Sequence, residues 1–209
     1  MLPFDADSLF ATIAYYHAAF RPLPWLAVVW GAAVIALALT ATSRAALLLL
    51  AVAWIWVGAA WHLTTFAGIN FAAPLYGAFF VLQGALLAWT AARGRLGLRY
   101  RGRLRDRAGL ALAVAALLGY PLLDRWSGIP WPAVRLPGAD PCPTALFTLG
   151  ILLLADRRSA AGLMVLPVLW TFVAGATGWA VAIGRDQVLP FLGLAALVVA
   201  LLPVRRAAG

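Results

Sequence analysis

Apolar residues gather along this chain in seven long blocks separated by polar connections, at roughly Pro24–Thr40, Arg44–His62, Ile69–Ala91, Ala108–Asp124, Cys142–Ala155, Gly162–Ile183 and Val188–Leu202. Most approach the ~20 residues with which a helix crosses a bilayer, so the pattern predicts an all-α, polytopic bundle of transmembrane helices. The fifth block is the exception, with about thirteen residues from Pro143 to Ala155. Ahead of the blocks, the first twenty residues are too short and too polar to span. Asp5, Asp7 or Ser8 can cap a helix there running to about Phe20, with Phe10, Ile13, Ala14 and Ala18 on one side, which predicts a helix lying in the outer interface. Arg21-Pro22-Leu23-Pro24 then breaks the pattern and opens the first span, since proline fits a helix's first turn.

Charge orients the bundle. All 16 cationic residues are arginines, and threading the blocks alternately puts twelve of them on one face: Arg44, the seven from Arg93 to Arg107, Arg157, Arg158, Arg205 and Arg206. The other face keeps Arg21, Arg125, Arg135 and Arg185 with Asp5, Asp7, Asp124, Asp140 and Asp186. By the positive-inside rule the N-terminus is expected outside and the C-terminus in the cytoplasm. A 65% apolar composition and mean hydropathy of +0.93 leave too little polar surface for a water-soluble fold, so one membrane domain is expected throughout. The net charge of +9 falls next to helix ends, where it points to anionic lipid headgroups and away from nucleic acid. The acidic start, Met1-Leu2-Pro3-Phe4-Asp5, is unlike a cleavable signal peptide.

Two connections are long. The basic one alternates Arg93, Arg95, Arg99, Arg101, Arg103, Arg105 and Arg107 with Leu96, Leu98, Tyr100 and Leu104. Its period of two predicts an extended segment whose apolar residues dip into the interface while the seven arginines pair with lipid phosphates. The other, Arg125 to Pro141, is dense in proline and tryptophan, and is expected to form a stiff cover over the outer face.

Landmarks recur in order. Pro22, Trp56 and Pro74 are matched by Pro141, Trp170 and Pro190 at offsets of 119, 114 and 116 residues. The chain therefore divides into an interfacial helix (1–21), a three-helix repeat (22–93), a basic loop and linker helix (94–124), the Pro-rich loop (125–140) and a second three-helix repeat (141–209). This is a 3+1+3 arrangement with the repeats related by a pseudo-two-fold along the membrane normal.

That layout resembles the SWEET-type sugar facilitators and, more loosely, seven-helix rhodopsins, although the Pro-Gln pair typical of SWEET-like proteins is absent. With no lysine in the chain, retinal Schiff-base chemistry is excluded. At residue level, Met1-Leu2-Pro3-Phe4, Ile69-Asn70-Phe71-Ala72-Ala73 through Gly77, and Pro141-Cys142-Pro143-Thr144 through Thr148-Gly150 resemble an uncharacterised family of bacterial multi-pass membrane proteins, a domain of unknown function. The resemblance implies a bacterial inner-membrane protein and no particular activity.

The polar inventory narrows the chemistry. There is no glutamate and no aspartate inside an apolar block, so the mid-membrane carboxylate common in ion-coupled transporters is missing. Two histidines and one cysteine do not make a three-histidine zinc site, a di-iron centre or a dithiol pair. What remains gathers toward the outer half: His62, Asn70 and Tyr76, then Cys142, with Thr148 on the same face of its helix, and Gln83 near the middle of a span. A short, proline-flanked segment opening a repeat points to a binding site, so these six residues are the candidate lining of an outward-opening cavity. Cys142 is expected at the N-cap of its helix, with Pro143 first inside. Equally, Cys142 is a small core residue, His62 an interfacial residue bonded to a carbonyl, Gln83 and the threonines interhelical glue, and the tryptophans interface anchors.

Three functions follow. One is a facilitator or binding protein for an uncharged or weakly polar molecule. Another is a non-catalytic accessory subunit of a membrane complex, in contact with other membrane proteins or its own copies, with His62 holding a pigment or haem. The last is an outer-face thiol or metal-handling protein. The sequence assigns no cofactor and no catalytic residue.

Overall fold

The computed structural model describes residues 2–155 and 157–202. Arg205 and Arg206, and the side chains of Arg157 and Arg158, lie outside the described residues. Helix α1 (Ala6–Ala19) is followed by α2 (Leu23–Leu39), α3 (Ser43–Trp56), α4 (Ala73–Arg93), α5 (Leu104–Val114), α6 (Tyr120–Trp126), α7 (Pro141–Leu152), α8 (Arg157–Ala180) and α9 (Leu189–Leu201). The fold is all-α, and each apolar block of the sequence forms helix.

Four helical segments are long and apolar enough to cross a membrane: Ser43–Gly68, Ala73–Arg93, Leu104–Trp126 and Ala160–Ala180. Helices α1 and α2 form a pair bent by 85°, while α7 and α9 are shorter apolar helices. The Asp5 carboxylate caps α1 by accepting from Ser8 N at 2.8 Å. Many apolar side chains face outward along these helices, among them Val29, Val52, Leu82, Trp89 and Phe172. Such faces suit a hydrocarbon surround.

Helix α7 forms the middle of the bundle. Every residue in it except Cys142 is buried, and α5, α8, α9 and α3 pack around it. Close approach makes this possible: a Cβ on Gly109 would lie 2.6 Å from Gly150 O, and one on Gly150 would lie 2.6 Å from Ala113 N. Only glycine lets the α5 and α7 backbones meet there.

The basic connection is extended, as its period of two predicts, but its apolar residues turn inward and not toward lipid. Leu96 and Leu98 are buried in the core. Leu98 forms an isolated antiparallel bridge with Ala155, Arg99 N donates to Leu154 O, and Ser43 Oγ accepts from Leu98 N at 2.7 Å. Backbone pairing beside the ends of α3 and α7 thus draws these leucines into protein, leaving Tyr100 and Leu104 exposed. Asp106 accepts from Arg101 N and Arg103 N and starts α5. Arg93, Arg95, Arg99, Arg101, Arg103 and Arg107 are exposed, and Arg105 is half-buried.

Candidate functional site

At the opposite end of the bundle, α1 and the Pro-rich loop close over the ends of α3, α4, α7 and α8. Helix α3 continues as a π-helix over Val57–Thr65, and the hydroxyls of Thr64 and Thr65 donate to carbonyls five residues back, Ala59 O and Ala60 O, both at 2.8 Å. The wider turn brings the consecutive residues Ala60, Trp61 and His62 all into the interior. A second π segment, Ala115–Gly119, precedes buried Tyr120. Each π segment therefore delivers a polar aromatic side chain to the same end of the fold.

His62 is wholly buried inside an aromatic enclosure. Its ring centroid lies 4.8 Å from that of Phe80, 5.1 Å from Trp170, 5.8 Å from Tyr76 and 5.9 Å from Phe66. Neither ring nitrogen has a hydrogen-bond partner, and the same is true of Trp170 Nε1. Buried polar groups are satisfied in the great majority of cases, so two neighbouring side chains with three unpaired nitrogens mark this place as unusual.

His62, Trp170, Tyr76 and Phe66 border a cavity of about 50 Å³ that is also lined by Trp61, Asn70, Cys142, Thr177, Arg135 and Asp186. The structure thus brings His62, Asn70, Tyr76 and Cys142 to one cavity. It places Gln83 and Thr148 elsewhere: Gln83 Nε2 donates to Leu163 O at 2.9 Å, tying α4 to α8, and Thr148 Oγ1 accepts from Trp54 Nε1 at 2.8 Å, tying α3 to α7. Asn70 Oδ1 accepts from Ala72 N at the entry to α4. Cys142 is not the N-cap of α7. That position is Asp140, whose extended backbone (φ −117°, ψ 146°) precedes Pro141 in the first turn. Among the described residues no three His, Cys, Asp or Glu side chains are grouped as they would be round a metal ion.

Beside the cavity lies a buried ionic network. The Arg135 guanidinium donates to Asp124 through Nε (3.0 Å) and Nη2 (2.7 Å) and to Asp186 through Nη1 (2.6 Å). Asp124 also accepts from Arg135 N and Arg185 Nε, and Tyr120 OH donates to Asp186 at 2.6 Å. Two arginines and two aspartates balance, and Phe10 on α1 covers both guanidiniums at 5.1 and 5.2 Å. Burial works against the Arg135 charge, yet Tyr120, Asp186 and Asp124 together hold its pKa well above the ordinary value. Further along the loop, His17 Nε2 donates to Asp140, and Tyr16 OH donates to Ala139 O while accepting from Trp56 Nε1.

The sequence pattern does not show this network, and Trp54, Trp61 and Trp170, expected as interface anchors, are buried instead. One signal was present. Of the four arginines on the minority face, Arg135 and Arg185 are those that find buried aspartates from the same end.

Curated proteins and solved structures give no match to this chain. A family model matches residues 6–208, and the chain belongs to that family, DUF6064, a family of unknown function.

Proposed function

We propose that the protein binds a small uncharged molecule inside the membrane, in the cavity between α3, α4, α7 and α8. The observation that carries this reading is the trio of unpaired buried nitrogens on His62 and Trp170, two side chains that border a cavity. An unsatisfied buried polar group costs ~1–3 kcal/mol, and such a cost is retained where a partner is taken up in function. The charges beside the cavity pair with one another, which favours a neutral guest. Lining residues on α1 and the Pro-rich loop, Leu9, Ile13 and Arg135, are buried, whereas Tyr76 on α4 and Val173 and Thr177 on α8 are half-buried. Access is therefore expected at the flank, between α4 and α8, from the lipid side.

The same reading places all seven apolar helices in the bilayer, N-terminus outside, C-terminus inside, in the inner membrane. Helix α7, at ~1.5 Å per residue, falls short of a ~30 Å hydrocarbon layer, which fits a recessed start beneath the Pro-rich loop. The helices α2, α4, α7 and α9, first and third of each proposed repeat, all open on proline. A haem or pigment ring at His62 is disfavoured, because a cavity of about 50 Å³ holds only a few small groups.

The test is gentle extraction from native membranes followed by mass spectrometry of what is released on denaturation. A small neutral molecule recovered from wild type and lost from Trp170→Phe supports the reading; wild type that carries nothing and binds no small solute contradicts it.

A further inference from the structure

We infer that the arginine-rich end of the bundle, opposite the cavity, is a preformed docking surface for anionic phospholipid of the bilayer around the protein. The connection 94–103 leaves one helix long enough to span at Arg93 and enters the next at Leu104. Burial of Leu96 and Leu98, the bridge from Leu98 to Ala155 and the contacts with Ser43 hold it against the bundle's end, so it does not project into water. Its arginines stand where the spans end, at the level of the headgroups.

Charge selects the kind of lipid. Arg44, Arg93, Arg95, Arg99, Arg103 and Arg107 are exposed, and among the described residues none of them forms an ion pair. Asp106, the one described carboxylate at this end, is buried and accepts from Arg101 N and Arg103 N. The surface therefore carries a positive excess that the described carboxylates do not balance, on guanidinium forks that match phosphate oxygens. Exposed Trp89, Tyr100 and Leu104 stand between the arginines along the chain, with the Arg93 guanidinium 4.4 Å over the Trp89 ring. Apolar side chains interleaved with cations suit phosphate lying over hydrocarbon better than a free anion in water. A cleft of about 320 Å³ opens in the same surface, and Thr42, Arg44, Thr90 and Gly97 on its walls leave room for a headgroup between hydroxyls and guanidinium.

The test reads the lipid selectivity of the full-length protein in mixed vesicles. Spin-labelled phosphatidylglycerol and spin-labelled phosphatidylcholine are introduced separately, and electron spin resonance gives the association of each with the protein. Wild type is expected to prefer the anionic lipid several-fold at ~10 mM salt and less at ~500 mM. Arg95→Gln, Arg99→Gln and Arg103→Gln together should cut that ratio by about half or more. Lysine at the same three positions keeps the charge and should keep most of the preference, and Arg21→Gln at the other end should leave it nearly unchanged. Wild type without a preference overturns the inference and turns this surface toward an acidic protein partner. A preference lost as fully with lysine as with glutamine, or reduced as much by Arg21→Gln, overturns it too. So does one abolished by low-millimolar inorganic phosphate at constant ionic strength, which marks a site for a soluble anion.

Discussion

His17 and Asp140, 123 residues apart, meet at 3.1 Å in the interior and join α1 to the start of α7. The other ring nitrogen of His17 lies 3.0 Å from Pro132 O. Both partners are acceptors, so only the doubly protonated imidazolium satisfies them together. The contact fastens α1 to the Pro-rich loop, and both elements wall the cavity.

Burial lowers the His17 pKa, but the Asp140 carboxylate, through charge and hydrogen bond, and the Pro132 carbonyl raise it above the ordinary imidazole value. A folded pKa above the unfolded ~6.5 gives a stabilisation fully present below about pH 6.5 and lost as pH rises through the folded value. Thermal unfolding of wild type and His17→Gln, followed from about pH 5 to about pH 9, is therefore expected to show the largest gap at acid pH and convergence at alkaline pH. Parallel curves would show that His17 stays in one protonation state.

Removing one partner from a buried ion network leaves charges without compensation. Arg135→Met leaves Asp186 without a cation and Asp124 with Arg185 alone, and a loss of ~3–5 kcal/mol is expected in denaturant unfolding in micelles. Adding Asp186→Asn should recover part of it. A loss below ~1 kcal/mol for the single variant would mean that water reaches the network.

Glycine positions separate close packing from open surface. Gly150→Ala should cost ~1–3 kcal/mol, since the new methyl meets backbone atoms Ala113 N and Gly109 O that cannot rotate away. Gly162→Ala, where nothing lies within 4 Å of the new Cβ, should stabilise α8 by ~0.5–1 kcal/mol. Thermal shifts of equal sign for the two would contradict the central placing of α7.

Much of the helical fold was legible in the sequence, because helix-length apolar blocks act locally. The Asp5 cap, the extended basic loop and the joint placing of His62, Asn70, Tyr76 and Cys142 followed from pattern. What was not legible depends on long-range geometry. The inward turn of Leu96 and Leu98 needs Ala155, more than fifty residues away, and no periodicity announces it. Polarity and helix face leave Gln83 and Thr148 equally open to lining a cavity or bonding a neighbouring helix, and only the long-range partners Leu163 O and Trp54 Nε1 decide for the second. The π-helix at Val57–Thr65 turns Trp61 inward beside His62, and an ideal helical wheel cannot show that.

Orientation can be measured directly. A periplasm-specific reporter inserted at Gly128 and a cytoplasm-specific one at Gly102, both glycines with positive φ in loops, are each expected to be active. Activity of the exchanged pair would reverse the assignment.

The central claim is that His62 is kept, at a cost in stability, for a guest. His62→Phe removes two unpaired buried nitrogens at similar volume, so the empty variant should unfold at the same or higher denaturant than wild type, by up to ~1–3 kcal/mol. The small neutral molecule recovered from the native protein, at saturation, should then stabilise wild type and leave the variant unmoved. An empty variant less stable than wild type by more than ~2 kcal/mol, or one that the same molecule stabilises as well as wild type, would contradict the account.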